Sequence, residues 1–243
     1  MTDLVLIDIS NSRTKICAAK AEALAGEKRT VDTATLSAKD FADFADAERT
    51  ILCSVVPDKT TIVREVFGDR LHELTHESHL GFAIDYPEPT TIGEDRLANA
   101  AALADRGLTP GVVVDFGTAV TFDVVDARPA YIGGVIAPGL AAMTDYLYQE
   151  PALLPRLDLE EPVDAIGKST KDAMLAGAVT GYRGLVKEIL HGVTAQLGIG
   201  GEDLHVLATG GYAELLSAKI PGIENVDPDL TLDGLRVIAS RNP

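Results

Sequence analysis

At 243 residues, with 46% hydrophobic and 24% charged side chains, the chain is long enough for one large domain or two of ordinary size. Its 21 basic and 37 acidic residues give a formal charge of −16, which excludes a nucleic-acid binder, because displacing counterions from a phosphate backbone needs a basic face. A small anionic ligand stays compatible with that charge, since local N–H groups and one or two cations outweigh a diffuse negative field.

Leu4 to Ser10 reads as a buried strand running into a turn that begins at an acid, Asp8. Thr14 to Ala19 and Arg29 to Thr35 follow as antiparallel partners, and Ser37 to Ala47 as a short helical segment with Phe41 and Phe44 at helical spacing. Thr50 to Val56 is a second buried strand, with helix to about Phe67 and a weaker extended stretch beyond. The pattern predicts a helix over Gly93 to Gly107, its apolar face built from Leu97, Ala100, Ala101 and Ala104. Gly111 to Gly117 is again a buried strand ending in an acid, Asp115, with Val120 to Val125 and Tyr131 to Ile136 as hairpin partners. Pro138-Gly139 opens a helix to about Tyr148, and the acid- and proline-rich segment 150–167 reads as a surface loop. A long helix from Ser169 to about Leu197 begins with Ser169 and Asp172 in capping-box spacing. A strand over Leu204 to Thr209 and helices over Tyr212 to Lys219 and Leu232 to Ser240 complete the chain.

Cys17 and Cys53 lie in apolar stretches and imply buried reduced thiols rather than a disulfide framework. No apolar run reaches membrane-spanning length, and the first residues lack a signal-peptide pattern, so a soluble cytoplasmic protein is expected.

The two acid turns form an echo. Asp8-Ile-Ser-Asn-Ser and Asp115-Phe-Gly-Thr-Ala each end a buried strand, pass through a hydroxyl-rich turn and return along a strand. Alone, such a turn is an ordinary chain reversal; as a matched pair the two point to a duplicated αβ domain that binds phosphates. The expected domains are residues 1–108 and 109–243, with a cleft between the copies. Phosphoryl transfer needs donors around phosphate oxygens, a cation held by carboxylates and an oriented hydroxyl. Asp8 and Asp115 can hold a cation directly or through water, and the backbone N–H groups of Ser10 to Arg13, Asn11 among them, and of Gly117 to Ala119, with the hydroxyls of Ser12 and Thr118, can surround phosphates, with Lys15 adding charge. Gly210 and Gly211, between a strand and a helix, would let backbone approach an adenine and its ribose. Gly93-Glu94-Asp95-Arg96 is the acceptor side: Asp95 as general base or simple helix cap, Arg96 as partner of a substrate carboxylate.

His72-Glu-Leu-Thr-His76 matches the H-E-x-x-H zinc-hydrolase pattern, which requires both histidines on one face of a long helix. The short span between Gly68 and Gly81 and the absence of a well-spaced third ligand argue instead for a solvated helix end or an edge strand.

At this point the residues resemble one family. DISNSRTK is similar to the first phosphate loop of type III pantothenate kinases, YPEPTTIGEDR to their pantothenate segment, and VVDFGTAVTFDVVD to their second phosphate loop. YIGGVIAPGL, LLPRLDL, IGKST and TGGYAELL follow in the family's order, so the resemblance covers nearly the whole chain. It implies an α/β protein of two ribonuclease H-like, actin-like domains, with mixed sheets flanked by helices. It also implies a homodimer that transfers the ATP γ-phosphate to pantothenate, the first step of coenzyme A synthesis, with Mg²⁺ and a monovalent cation, K⁺ or NH4⁺. By position, Asp8, Ser10, Asn11, Ser12, Lys15 and Thr118 would bind ATP, with Asp8 reaching Mg²⁺ through water. Asp95 would accept the proton, while Tyr86, Gly93, Glu94, Asp95, Arg96 and Thr170 would contact pantothenate and Asp115 would hold the monovalent cation. Ser10 stands where the family has glycine: it would crowd the nucleotide if the turn needs φ > 0, or add a donor if it does not. Ser10 is also the one feature favouring a second reading, a non-catalytic accessory or regulatory member of the same fold.

Overall fold

A computed structural model of the chain describes residues 4–149, 154–223 and 225–242. In order, the regular elements are β1 (Leu4–Ile9), β2 (Arg13–Ala19), β3 (Arg29–Asp32), β4 (Arg49–Ser54), α1 (Pro57–Phe67), β5 (Leu71–Glu73), β6 (Ala83–Ile84), α2 (Glu94–Asp105), β7 (Gly111–Phe116), β8 (Ala119–Val125), β9 (Ala130–Pro138), α3 (Leu140–Gln149), α4 (Thr170–Leu197), β10 (His205–Thr209), α5 (Ala213–Ser217), β11 (Asn225–Val226) and α6 (Leu230–Arg241). Two compact units result. One comprises Met1–Leu108, Pro129–Ile132 and Asp229–Pro243, the other Thr109–Arg128 and Gly133–Pro228.

In the first unit the sheet runs β3-β2-β1-β4-β5. β1 is buried along its whole length because it is central, antiparallel to β2 and parallel to β4. Side chains alternate across a strand, so Val5, Ile7 and Ile9 enter one face. There they join Ile16, Leu36, Phe41, Leu52, Val63 and Phe67 in a single core, with the Phe41 and Phe67 rings edge to face at 5.8 Å. The segment read as helical between Ser37 and Ala47 is a 3-10 turn, Ala38–Phe44, and it delivers Phe41 to this core. The opposite face, to which Leu4, Leu6 and Asp8 alternate, is the one that α2 and α6 cover, both touching β4 and α6 touching β1. Those two helices pack very closely: a Cβ at Gly234 would lie 1.9 Å from the Ala98 carbonyl oxygen, so only glycine permits the approach. Thr231 on α6 donates to Asn99 Oδ1 on α2 at 2.9 Å in the buried contact. Sequence order grouped α6 with the second half; its packing places it in the first unit, because its apolar stripe fits α2 and the β1 face.

The second unit repeats the plan. Its strands run β9-β8-β7-β10-β11, with β7 antiparallel to β8 and parallel to β10, and β10 parallel to β11. α4 presents Leu175, Ala176, Val179, Tyr182, Val186 and Leu190 as one buried stripe, and Ser169 caps it by accepting from the Asp172 N–H at 3.1 Å. Residues 154–167 form neither helix nor strand, in keeping with the expected loop; 150–153 of that segment lie outside the described residues. Glu161 anchors the loop by a two-point ion pair to the buried Arg183, at 3.0 and 2.5 Å, and a third contact to Lys219 at 2.6 Å. Back in the first unit, β6 pairs with the opening residues of β9, Ala83 with Ala130 and Ile84 with Tyr131.

Candidate active site

The two echoed acids occupy the same place in their sheets. Asp8 faces Lys15 across the antiparallel pair and Cys53 across the parallel one; Asp115 faces Thr121 and Thr209 in the matching positions. In the first unit, Asp8 is 3% exposed. Its Oδ1 accepts from Ser10 Oγ at 3.1 Å and from the Cys53 thiol at 3.7 Å. Burial pushes the Asp8 carboxyl above its ordinary value; Lys15 draws it back, and Asp95 raises it again.

The turn itself is tight. Ser10 N–H donates to Arg13 O at 3.1 Å, while Asn11, Ser12 and Arg13 lie exposed at its tip and Lys15 is half-buried on the returning strand. Ser10 lies outside the left-handed region, where Pro129 is the non-glycine residue found among those described. The serine therefore needs no glycine-only backbone, and its hydroxyl is turned onto Asp8.

Asp95 sits in the first turn of α2, where an acid is favoured by the helix dipole. Its Oδ1 accepts from the Arg96 N–H at 2.8 Å, and a Cβ on the N-cap residue Gly93 would come within 2.7 Å of that oxygen. Glycine at 93 thus leaves room for the carboxylate to fold back over the helix start. Burial raises the Asp95 carboxyl, against the lowering effect of the Arg96 N–H and guanidinium. Arg96 lies over the Tyr131 ring at 5.8 Å, and the Tyr86 ring meets Tyr131 edge-on at 6.2 Å, so Tyr86 and Arg96 share one aromatic platform. Glu94 points elsewhere. It lines an opening of about 190 Å³ with Ser54, Thr60, Arg64 and Glu73, and burial raises its carboxyl too.

In the second unit, Asp115 stands at the penultimate position of β7, and Thr118 lies in the turn closed by Gly117 N–H donating to Ala119 O at 3.0 Å. Gly210 has φ +94°, and a Cβ there would sit 2.4 Å from Asp115 Oδ1 and 2.6 Å from Phe116 N. Gly210 thus packs against the Asp115 carboxylate and the Phe116 backbone, while the space around Gly211 is open. Thr170 is exposed at the start of α4.

Sequence reasoning missed Cys53 and Gly139. The motif around Gly139 was visible, but the use of that glycine was not: a Cβ would lie 2.2 Å from Thr118 O and 2.6 Å from Gly117 O. Cys53 carried no signal, since its place beside Asp8 depends on the β1–β4 register. The HELTH segment does not make a zincin site. His72 lies on β5, a strand, and its Nε2 is 3.1 Å from Ser78 Oγ, so the two histidines are not one helical turn apart.

Two repeated sheets, each with an acid-and-hydroxyl turn closing its central strand, define the actin-like kinase class. A polyphosphate/ATP-glucomannokinase from Arthrobacter sp. strain KM matches with a TM-score of 0.52 over 97% of this chain and 98% of its own, at 15% identity, a likeness of fold alone. At the level of sequence, a type III pantothenate kinase of Akkermansia muciniphila is 48% identical over 241 residues, covering 98% of each chain. One of Methylacidiphilum infernorum is 42% identical, covering 97% of this chain and 87% of its own. A family model described as type III pantothenate kinase matches residues 4–192, and the chain belongs to that family.

Proposed function

We propose that this chain phosphorylates pantothenate with ATP, the first step of coenzyme A synthesis, with Asp95 as the general base. The observation that carries the assignment is the match to type III pantothenate kinases over residues 4–192, and the Coulombic influence of Asp95 on the buried Asp8 carboxyl fits an acceptor segment beside the phosphate turn of the first unit. A base that is half-buried and raised above its ordinary value is better matched to a hydroxyl proton near neutral pH than an exposed aspartate. Arg96 and Tyr86, on the Tyr131 platform, supply a cation and a phenol for the pantothenate carboxylate and amide, and Gly93 keeps the approach to Asp95 clear. Thr170 belongs to the same reading as a further pantothenate contact.

Asp8, Ser10, Asn11, Ser12 and Lys15 form the phosphate turn of the first unit; Asp8, a buried carboxylate with oxygen-only chemistry, suits water-mediated contact with the Mg²⁺ that accompanies ATP. Thr118, Gly210 and Gly211 are the nucleotide residues of the second unit. Asp115, held against Gly210, offers carboxylate oxygens that suit K⁺ or NH4⁺, whose charge would offset that of the nucleotide. A non-catalytic accessory role loses its one favourable feature, because Ser10 adopts an ordinary backbone and adds a hydroxyl instead of strain.

Two further properties belong to the proposal. The chain acts as a homodimer, supported by the apolar stripe Met143, Tyr146 and Leu147 on the exposed side of α3. It works in the cytoplasm, supported by two free buried cysteines, and no helix among the described residues is long and apolar enough to cross a membrane; cell fractionation checks this.

The deciding experiment is an ADP-release assay with and without pantothenate and potassium. Release should require pantothenate and be stimulated by potassium, and Asp95→Asn should lower kcat by about 10²–10⁴-fold with ATP affinity retained. A variant turning over at the wild-type rate would remove Asp95 from the role.

A further inference from the structure

The second unit grips its acid turn from two sides. On one side Gly210 packs against the Asp115 carboxylate and the Phe116 backbone. On the other, Gly139 N–H donates to the Thr118 carbonyl at 3.1 Å, and the absence of a side chain at 139 brings its backbone against both Gly117 and Thr118. Gly139 follows Pro138, the last residue of β9, and Pro138 cannot donate a hydrogen bond of its own. What fixes this junction is a residue 44 positions away: the Tyr182 hydroxyl, from the middle of α4, donates to the Pro138 carbonyl at 2.8 Å. Tyr182 is 1% exposed, so its ring is clamped by packing and its hydroxyl has one defined direction.

We propose that Tyr182 is a positioning residue for the nucleotide turn, holding Thr118 in place through Pro138 and Gly139. The chain of contacts is short and directional, running from phenol to Pro138 carbonyl, then across one peptide to the Gly139 N–H and on to the Thr118 carbonyl. Each link is a hydrogen bond or a contact too close for any side chain. The longest helix of the unit thereby becomes the reference against which the turn is set. Burial pushes the Tyr182 phenol up to about 12, so it stays a neutral donor throughout the range in which a kinase works. Nothing in the geometry brings Tyr182 to ligand; it acts on the turn alone.

This inference rests on the reading of Thr118 as a nucleotide residue, and the test separates the two. Steady-state constants are measured for Tyr182→Phe and Thr118→Ala, with thermal unfolding as a record of folding. Tyr182→Phe keeps the buried ring and removes one neutral hydrogen bond, so KM for ATP should rise roughly 2- to 10-fold while KM for pantothenate stays at its wild-type value. Thr118→Ala should raise KM for ATP as well. A lower unfolding temperature for Tyr182→Phe with both KM values unchanged would mean a structural role only and overturns the proposal, as does an equal rise in both. If Thr118→Ala raises KM for ATP and Tyr182→Phe does not, the inference fails and the nucleotide reading stands. If Thr118→Ala leaves KM for ATP unchanged, the nucleotide reading of the turn fails and the inference goes with it.

Discussion

Asp8 is a carboxylate that folding works against. Its neighbours Ser10 Oγ and Cys53 Sγ donate to it and Lys15 attracts it, yet burial dominates and its carboxyl is raised. A group whose folded value is raised favours the folded state at pH below its unfolded value, and that contribution is lost as pH rises through the folded value. At neutral pH the ligand-free protein therefore holds Asp8 at a cost, as it does Asp95. Asp8→Asn removes the buried charge while leaving an oxygen to accept from Ser10 and Cys53. The variant should unfold at a higher temperature than the wild type at pH 7, with the gap closing in mild acid, and should lose activity because the phosphate turn has lost its acid. An unfolding temperature equal to or below the wild type's at pH 7 would contradict this account. At this scale the sequence was partly legible. Asp8, Ser10 and Asp95 could be singled out because each stands at a strand end or helix start. The convergence of Asp8, Cys53 and Asp95 could not, because it depends on which strand lies beside β1 and which helix covers that face.

Among the elements, the central strands were readable because β1, β4 and β7 are buried along nearly their whole length, and α4 carries a regular apolar stripe. α2 was readable as a helix, but it is buried at every position from Leu97 to Leu103 instead of along one face, because both α6 and the sheet pack against it. The short pieces were less so. β11 is two residues long, and the segment at Phe41 closes as a 3-10 turn because its role is to deliver one ring rather than to present a face. On α3, Leu140 and Thr144 face inward, while Met143, Tyr146 and Leu147 fall at i, i+3 and i+4 on the other side, with exposures of 41%, 63% and 42%. A stripe of that size on a surface is normally covered. Sedimentation equilibrium at micromolar concentration should give twice the chain mass, and Leu147→Asp should shift it toward one chain. A wild-type protein that sediments as a monomer would leave α3 without the proposed partner.

The whole molecule repeats one plan twice, and the repeat was legible because an acid and a hydroxyl-rich turn stand at the end of each central strand. What could not be read was the path of the chain between the repeats. Residues 129–132 return to the first unit at the head of β9, and α6 joins α2 by a contact that only Gly234 allows. A glycine inside a helix announces no destination; the Ala98 carbonyl it meets lies far away in sequence.

That closing helix sets a schedule during synthesis. About 125 residues separate α2 from α6, so a ribosome moving at roughly 5–20 residues per second leaves the first sheet without one of its covering helices for roughly 6 to 25 s. In that interval the Asn99 face of α2 and the Leu4–Leu6 face of β1 have no α6 against them. Released chains truncated after Pro228 should therefore show a protease-sensitive N-terminal half beside a protected second unit. Equal protection of both halves in such truncated chains would show that α6 is dispensable for the first.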